Sequence, residues 1–297
     1  MIEITNDLVV CVVAHDAGAA AHIAHYTKSL KNEVVYSLEG PAIAVFEDVI
    51  GKINVVDMEA AILAADIVIC GTGWQTDCEW RAIKLSRMAN KDIIACVDHW
   101  TNYKSRFTRN SLELMPDEIW VFDEHAYFLA KNVFPNVAIR QRPNLYLTEQ
   151  IKKIGRLDAS ATNGRASILY LLEPMRECWH GDVLAEFEAL DNFVKHLSYL
   201  NTEGNIEIFL KPHPSDAIGK YDAWLTTCDW LDIKIVSCSL ADAIARSTIV
   251  VGCRTYAMVI ALHAGRKVYT AIPQRYETFR LPYTKIMQLE ALAEVKK

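Results

Sequence analysis

The chain has 297 residues, 52% of them apolar and 23% charged, with a net charge of −6. That length suits two cores of about 150 residues each, the balance excludes a disordered chain, and the acidic excess excludes a general nucleic-acid binder, which needs a basic stripe. No run approaches about 18 uninterrupted apolar residues, so no membrane-spanning helix is expected, and the opening MIEITNDLVVCVVAHD lacks the pattern of a secretory leader.

Strand-like runs recur along the chain, each followed by a helical pattern. LVVCVVA (8–14) leads into AGAAAHIAHYTKSL, and EVVYSLE (33–39) into a short, poorly patterned stretch. AADIVICGTG (64–73) precedes DCEWRAIKLSRMAN; DIIACVDHW (92–100) and then DEIWVFDEHAYFLAKNVF (117–134) follow. These runs are β-rich and apolar on both faces, as in parallel strands covered by helices on each side. TEQIKKIGRLDASATNGRA (148–166) is polar, lacks sustained apolar periodicity and reads as an interdomain connection. A second set follows: SILYLLE (167–173), a helix over about 182–200, IEIFLKP (206–212), IKIVS (233–237), TIVVGC (248–253) and KVYTAIP (267–273). The closing YTKIMQLEALAEVKK looks helical, with the option of packing back on the first domain. The expectation is two Rossmann-like α/β domains, 1–150 and 151–297, facing across a cleft.

The eight cysteines are scattered, without C-x-x-C, mostly in apolar segments. They read as reduced core thiols of a cytoplasmic protein, not as a disulfide framework or a zinc site. No Asp-x-Asp or His-rich cluster offers a metal site, so no metal is expected.

Open parallel sheets bind ligands beyond the C-terminal ends of their strands, so the residues that follow the strands are the candidates. After the first strand, AHDAGAAAH (14–22) places His15, Asp16 and Gly18 where a helix begins. Asp16 either caps that helix or acts as a general base; two carboxylate oxygens allow one to be held while the other works. In IFLKPHPSDA (208–217) two prolines fix the backbone around His213, and Lys211 supplies a positive charge. Together they suit a phosphate oxygen; the plain alternative is a surface turn. In STIVVGCRTYAMVIALHAG (247–265) a strand passes Gly252 and reaches Thr255 at a helix start, a phosphate ligand or simply an N-cap. VDHWTNYKSRFTRN (97–110) and CGTGWQTD (70–77) bring His99, Arg106, Arg109 and Trp74 to strand-end loops, as suits a sugar, or as packed loop residues with solvated cations. Glu173 ends the first strand of the second set, placed for ribose hydroxyls or for capping.

The architecture resembles the GT-B glycosyltransferases. His213–Pro214 resembles the His-Pro motif of bacterial sialyltransferases and of keto-deoxy-octulosonate transferases, and Asp16-Ala17-Gly18 sits where that group carries its acidic general base. The group's paired-hydroxyl motif is matched by Thr255, with Tyr256 as a departure, and its acidic ribose contact by VSCSLAD, which offers Ser237, Ser239 and Asp242 instead. The resemblance implies inverting transfer of a nonulosonic acid (sialic, legionaminic or pseudaminic) from a CMP-sugar to a glycan acceptor in capsule or lipopolysaccharide synthesis, without a cofactor. It implies Asp16 and His213 as catalytic residues. It places the donor against Glu173, Lys211, Pro212, Ser239, Thr255 and Tyr256, and the acceptor against Gly18, Trp74, His99 and Arg106. Such acceptors are often lipid-linked, which leaves peripheral contact with the inner membrane face open. The alternatives are a nucleotide-sugar 2-epimerase or hydrolase, a CDP-polyol phosphotransferase, and a non-catalytic sugar- or nucleotide-binding module.

Overall fold

The structure, a computed structural model, describes residues 1–73, 76–155, 167–200, 206–276 and 278–295. The chain divides into two compact units, Met1–Thr148 and Glu149–Lys297.

The first unit runs β1 (Val10–Ala14), α1 (Ala17–Thr27), β2 (Val34–Leu38), α2 (Pro41–Ile50), α3 (Met58–Ala64), β3 (Ile67–Cys70), α4 (Cys78–Met88), β4 (Asp92–Cys96), α5 (Tyr103–Phe107), β5 (Thr108–Arg109), β6 (Leu112–Glu113), β7 (Glu118–Val121), α6 (Glu124–Val133) and β8 (Ala138–Gln141); α7 (Leu145–Ile154) crosses the division. Six strands form one parallel sheet in the order β2-β1-β3-β4-β7-β8, while β5 and β6 pair as a small antiparallel ribbon. Every residue of β1, β3 and β7 is buried, as an all-parallel sheet with two covered faces requires. One face packs Val10, Val12, Ile67, Ile69, Ile94 and Trp120 with Ala20, Ile23 and Ala24 of α1. Small residues in α1 permit that close approach.

The second unit runs β9 (Ser167–Leu171), α8 (Ala185–His196), a 3₁₀ turn (Leu197–Leu200), β10 (Glu207–Lys211), α9 (Asp222–Thr226), β11 (Ile233–Ile235), α10 (Leu240–Ala245), β12 (Ile249–Gly252), α11 (Tyr256–His263), β13 (Lys267–Thr270), β14 (Ile286–Gln288) and α12 (Ala291–Val295). Its parallel sheet has the order β11-β10-β9-β12-β13-β14. Tyr170, Leu190, Phe193, Ile208, Leu210 and Val251 are among its core residues.

The chain reverses its direction of travel between β1 and β3 in the first sheet and between β9 and β12 in the second. Such switch points open a crevice at the strand ends. They place His15–Asp16 beside Gly71–Gly73 in one unit, and Glu173 beside Cys253–Thr255 in the other.

One sequence expectation is filled in and another is corrected. The stretch expected as a connection begins with a helix, α7, whose Ile154 is buried; residues 156–166 of it lie outside the described residues. The closing segment expected as a helix contains β14, paired in parallel with β13, before the short α12. The eight cysteines are free, and six of them are buried.

Candidate functional site

In the first unit, β1 ends at Ala14 and α1 begins at Ala17, leaving His15 and Asp16 to make the turn. Asp16 occupies the N-cap position with extended backbone (φ −80°, ψ 140°), yet its side chain makes no capping hydrogen bond. Instead its Oδ1 lies 2.9 Å from Nδ1 of His15. The His15 ring is fixed on its other side by Gly40, where a Cβ would come within 2.7 Å of Nε2 and where φ is +54°. Only glycine meets both conditions. The backbone N–H of His15 donates to Oε1 of Glu79 at 2.8 Å.

Glu79, in the first turn of α4, did not stand out in the sequence. It is 1% exposed, and its Oε2 is buried with no hydrogen-bond partner. Burial pushes its carboxyl above the ordinary value; the N–H groups of His15, Glu79 and Asp16 oppose that shift, while the charge of Asp16 adds to it. A Cβ placed on Gly73 would lie 2.6 Å from Oδ2 of Asp16 and 2.9 Å from Oε2 of Glu79. The two carboxyls therefore converge over one glycine, one of them enclosed and the other reached by solvent, an asymmetry of the kind that gives paired carboxyls separate acid and base roles.

Two arginines hold the surrounding loops. Arg109 has all five of its N–H donors engaged, by Asp77 Oδ1 and the carbonyls of Ser105, Thr108, Gly73 and Thr76. Arg106 is buried and donates from Nη1 to Asp98 (2.9 Å) and to the carbonyl and hydroxyl of Thr72 (3.0 Å each), and from Nε to the carbonyl of Thr101 (3.1 Å). Burial raises the Asp98 carboxyl, but Arg106, His99 and His22 outweigh it and leave the pKa below the ordinary value. Gly18 accommodates this acid: a Cβ there would meet Asp98 Oδ2 at 2.1 Å. His99 is half-buried, with Nδ1 3.0 Å from the Thr101 hydroxyl and its ring against Trp100. Trp74 lies outside the described residues.

In the second unit, Pro212 lacks the N–H needed to continue the ladder, and β10 ends at Lys211; both residues are half-buried. His213 follows. The Ser215 N–H donates to its Nδ1 at 3.2 Å, with the Ser215 hydroxyl 2.7 Å from the same atom. Nδ1 is thus an acceptor, and the proton of the neutral ring sits on Nε2. His213 as a whole is exposed, yet partial desolvation is the largest influence and draws its pKa below the ordinary value; Asp216 opposes this and Lys220 adds to it. Asp216 braces the turn: Oδ2 accepts from the His213 N–H (2.8 Å) and the Tyr221 hydroxyl (3.1 Å), and Oδ1 from Lys220 (2.8 Å), which also pairs with buried Glu186 (2.7 Å).

At the switch point, Glu173 Oε2 accepts from the Arg254 N–H at 3.0 Å. Burial raises its carboxyl, against the N–H and guanidinium of Arg254 and the N–H of Thr255, with Glu177 adding to the rise. The backbone donors expected to receive a phosphate thus already face an internal carboxylate. Arg254 also pairs with Glu177 and donates to the Thr278 hydroxyl. Thr255 is the N-cap of α11, its hydroxyl accepting from Ala257 N at 3.4 Å, and half-buried Tyr256 opens that helix. Ser239 is exposed and serves as the N-cap of α10, bonded to Asp242. Beyond the ends of β12 and β13 lies a cavity of about 200 Å³, lined by Cys253, Thr270, Arg280, Tyr283 and Gln288 among others. Among the described residues no group of three or more His, Cys, Asp or Glu is placed to hold a metal ion, and no helix is long and apolar enough to cross a membrane.

No protein-family model matches the chain, and a search of curated proteins returned no match. Solved structures do resemble it. A putative UDP-N-acetylglucosamine 2-epimerase from Listeria monocytogenes aligns over 98% of this chain and 87% of its own, with a TM-score of 0.59 at 14% identity. MurG of Acinetobacter baumannii aligns over 97% and 89% (TM-score 0.49, 12% identity), and the E. coli heptosyltransferase WaaC, solved with ADP-2-deoxy-2-fluoro heptose, over 94% and 92% (0.48, 12%). At these identities the likeness concerns the fold: two Rossmann-like domains of the GT-B class.

Proposed function

We propose that the chain is an inverting glycosyltransferase that moves a nonulosonic acid of sialic, pseudaminic or legionaminic type from a CMP-sugar to a glycan acceptor. The observation that carries the reading is the Asp16 carboxylate: it stands at a helix start without capping it, oriented by His15. A carboxylate held in this way suits a general base. In the second unit, His213 has its proton on Nε2 and suits the departing phosphate.

The roles follow from chemistry. Lys211 and the Nε2–H of His213 meet the donor phosphate, Pro212 stiffens their turn, and the hydroxyl of Thr255 donates beside them. Glu173, Ser239 and Tyr256 complete the donor side, and the cavity beside Arg280 has room for part of the nucleoside. Gly18, Trp74, His99 and Arg106 belong to the acceptor side, Arg106 acting through the loop it holds. Asp16 takes the proton of the acceptor hydroxyl as that oxygen bonds the anomeric carbon. The bond from that carbon to the phosphate oxygen breaks with inversion, its electron pair leaving with CMP. The scheme asks for no metal or cofactor. We place the reaction in the cytoplasm, at the inner membrane face if the acceptor is lipid-linked, within surface-polysaccharide synthesis.

A second reading, a UDP-sugar 2-epimerase, is favoured by the Asp16–Glu79 pair, because an enclosed and a solvent-reached carboxyl meeting over one glycine suit proton abstraction and return. A screen of CMP, CDP, UDP and GDP by thermal shift, followed by CMP- and UDP-sugars with and without acceptor, separates the two. Selective stabilisation by CMP and acceptor-dependent loss of CMP-sugar are expected. UDP-sugar turnover without acceptor, with no response to CMP, overturns the transferase in favour of the epimerase.

A further inference from the structure

At the β8 edge of the first sheet, Arg142 lays its guanidinium over the rings of Trp120 (4.6 Å to the centroid) and Tyr26 (4.9 Å). These ring contacts satisfy none of its N–H donors with an oxygen acceptor. Its Nε is buried with no hydrogen-bond partner. The neighbouring Arg140, whose Nε also lacks a well-aligned hydrogen bond, differs in having a charge partner: its Nε lies 2.7 Å from Oε1 of the fully buried Glu118 and its Nη2 donates to Oε2 at 3.3 Å. That carboxylate also accepts from Trp120 Nε1 (2.8 Å) and Ile2 N (2.7 Å). Arg140 and Glu118 thus balance each other, and Arg142 remains as one cation without a carboxylate in ion-pair distance among the described residues. It borders a cavity of about 290 Å³ whose walls include Ile2, Ile4, Tyr26 and Trp120. Glu3, at the rim, is exposed and forms no ion pair with either arginine.

We propose that this cavity is a binding site for a small organic monocarboxylate with an apolar body. Desolvated N–H donors are costly to leave unmade, and an arginine edge is matched in two bonds by a planar carboxylate. With Glu118 held by Arg140, Arg142 is left to meet one negative charge; a phosphate dianion would bring a second into a cavity that Glu3 also lines. The Tyr26 ring and the isoleucines supply the surface for the ligand's body. The site does not depend on the transferase reading.

Benzoate and hexanoate are the probes, with inorganic phosphate as the comparison, followed by calorimetry and by tryptophan fluorescence of the whole chain. Both carboxylates should bind saturably and more tightly than phosphate. The fluorescence change should vanish in Trp120→Phe, and affinity should fall about tenfold or more in Arg142→Gln. His213→Ala, in the other unit, should bind benzoate as the native chain does. Tyr26→Phe, which keeps the ring, guards against misfolding of the arginine variant and should weaken binding by a smaller factor. No saturable binding of either carboxylate up to ~50 mM, tighter binding of phosphate, or unchanged affinity in folded Arg142→Gln overturns the proposal.

Discussion

The carboxyls of Asp16 and Glu79 reach the same side of Gly73, so closely that a methyl group there would have to push both aside. One belongs to the turn after β1 and the other to the first turn of α4; the switch point of the sheet brings them together. Asp16 is 34% exposed at its side chain, whereas Glu79 is enclosed. In the proposed transfer, Glu79 is a positioning residue, acting on Asp16 through the His15 main chain and through its own field.

Glu79→Gln tests this. Burial holds the folded pKa of Glu79 above its ordinary 4.5. Ionising it penalises the folded state, so its contribution to stability falls as pH rises from 4.5 through that raised value. Glu79→Gln keeps an acceptor for the His15 N–H and removes the penalty. It should be more stable than the native chain at pH 7, with the difference closing below pH 4.5, by urea titration. Turnover should fall by up to about 10²-fold through misplacement of Asp16, a stability–activity trade-off.

Asp16→Asn and His213→Ala separate base from leaving-group grip. Asp16→Asn should leave nucleotide affinity unchanged and lower transfer by about 10²–10⁴-fold. His213→Ala should lower transfer by about 10²–10³-fold and also weaken nucleotide binding by calorimetry. Normal turnover in either variant removes its assignment.

Asp216→Ala should destabilise the second unit by about 3 kcal/mol, because it strips a buried partner from Lys220 and frees the His213 N–H. Thermal unfolding reads the loss. Asp216→Asn, which keeps an acceptor, should cost less and still impair transfer by loosening the imidazole.

Acidification should weaken the first unit through His22. This ring is 3% exposed, stacks on Phe122 at 4.1 Å, and burial pushes its pKa down from 6.5 to about 4, with Asp98 opposing and His25 adding. Unfolded His22 takes up a proton near pH 6.5 while the folded ring resists until about 4. Stability should therefore drop across that window as pH falls, by on the order of 3 kcal/mol in all. Denaturant titrations at pH 7 and pH 4 should show a smaller drop in His22→Gln.

The parallel strands were legible because strands covered on both faces read as unbroken apolar runs, as in VCVVA and IVIC. Two of the four edge strands were not: β8 (AIRQ) and β14 (IMQ) have half-buried or exposed positions and no such run, whereas the edge strands β2 and β11 were read from EVVYSLE and IKIVS. Asp16 and His213 drew attention because polar residues directly after strands are conspicuous. Glu79 stayed hidden because an acid in the first turn of a helix is ordinary at a positive helix end; only the fold shows that it turns inward. Asp216 and Lys220 stood apart in sequence from Glu186, and the network that fixes His213 exists only in three dimensions. Thr255 and Ser239 read as ligand-facing hydroxyls, and the structure shows both in capping bonds.

The Arg109 clamp has a further consequence. Four of its five bonds end on main-chain oxygens, which every amino acid possesses. Two of those oxygens, on Gly73 and Thr76, belong to the segment between β3 and α4, so at Thr76 the clamp makes no demand on the side chain. Under the transferase reading, replacements at Thr76 would change which sugar is tolerated while Arg109 keeps its hold, so diversification of specificity would accumulate there and spare both the arginine and Gly73.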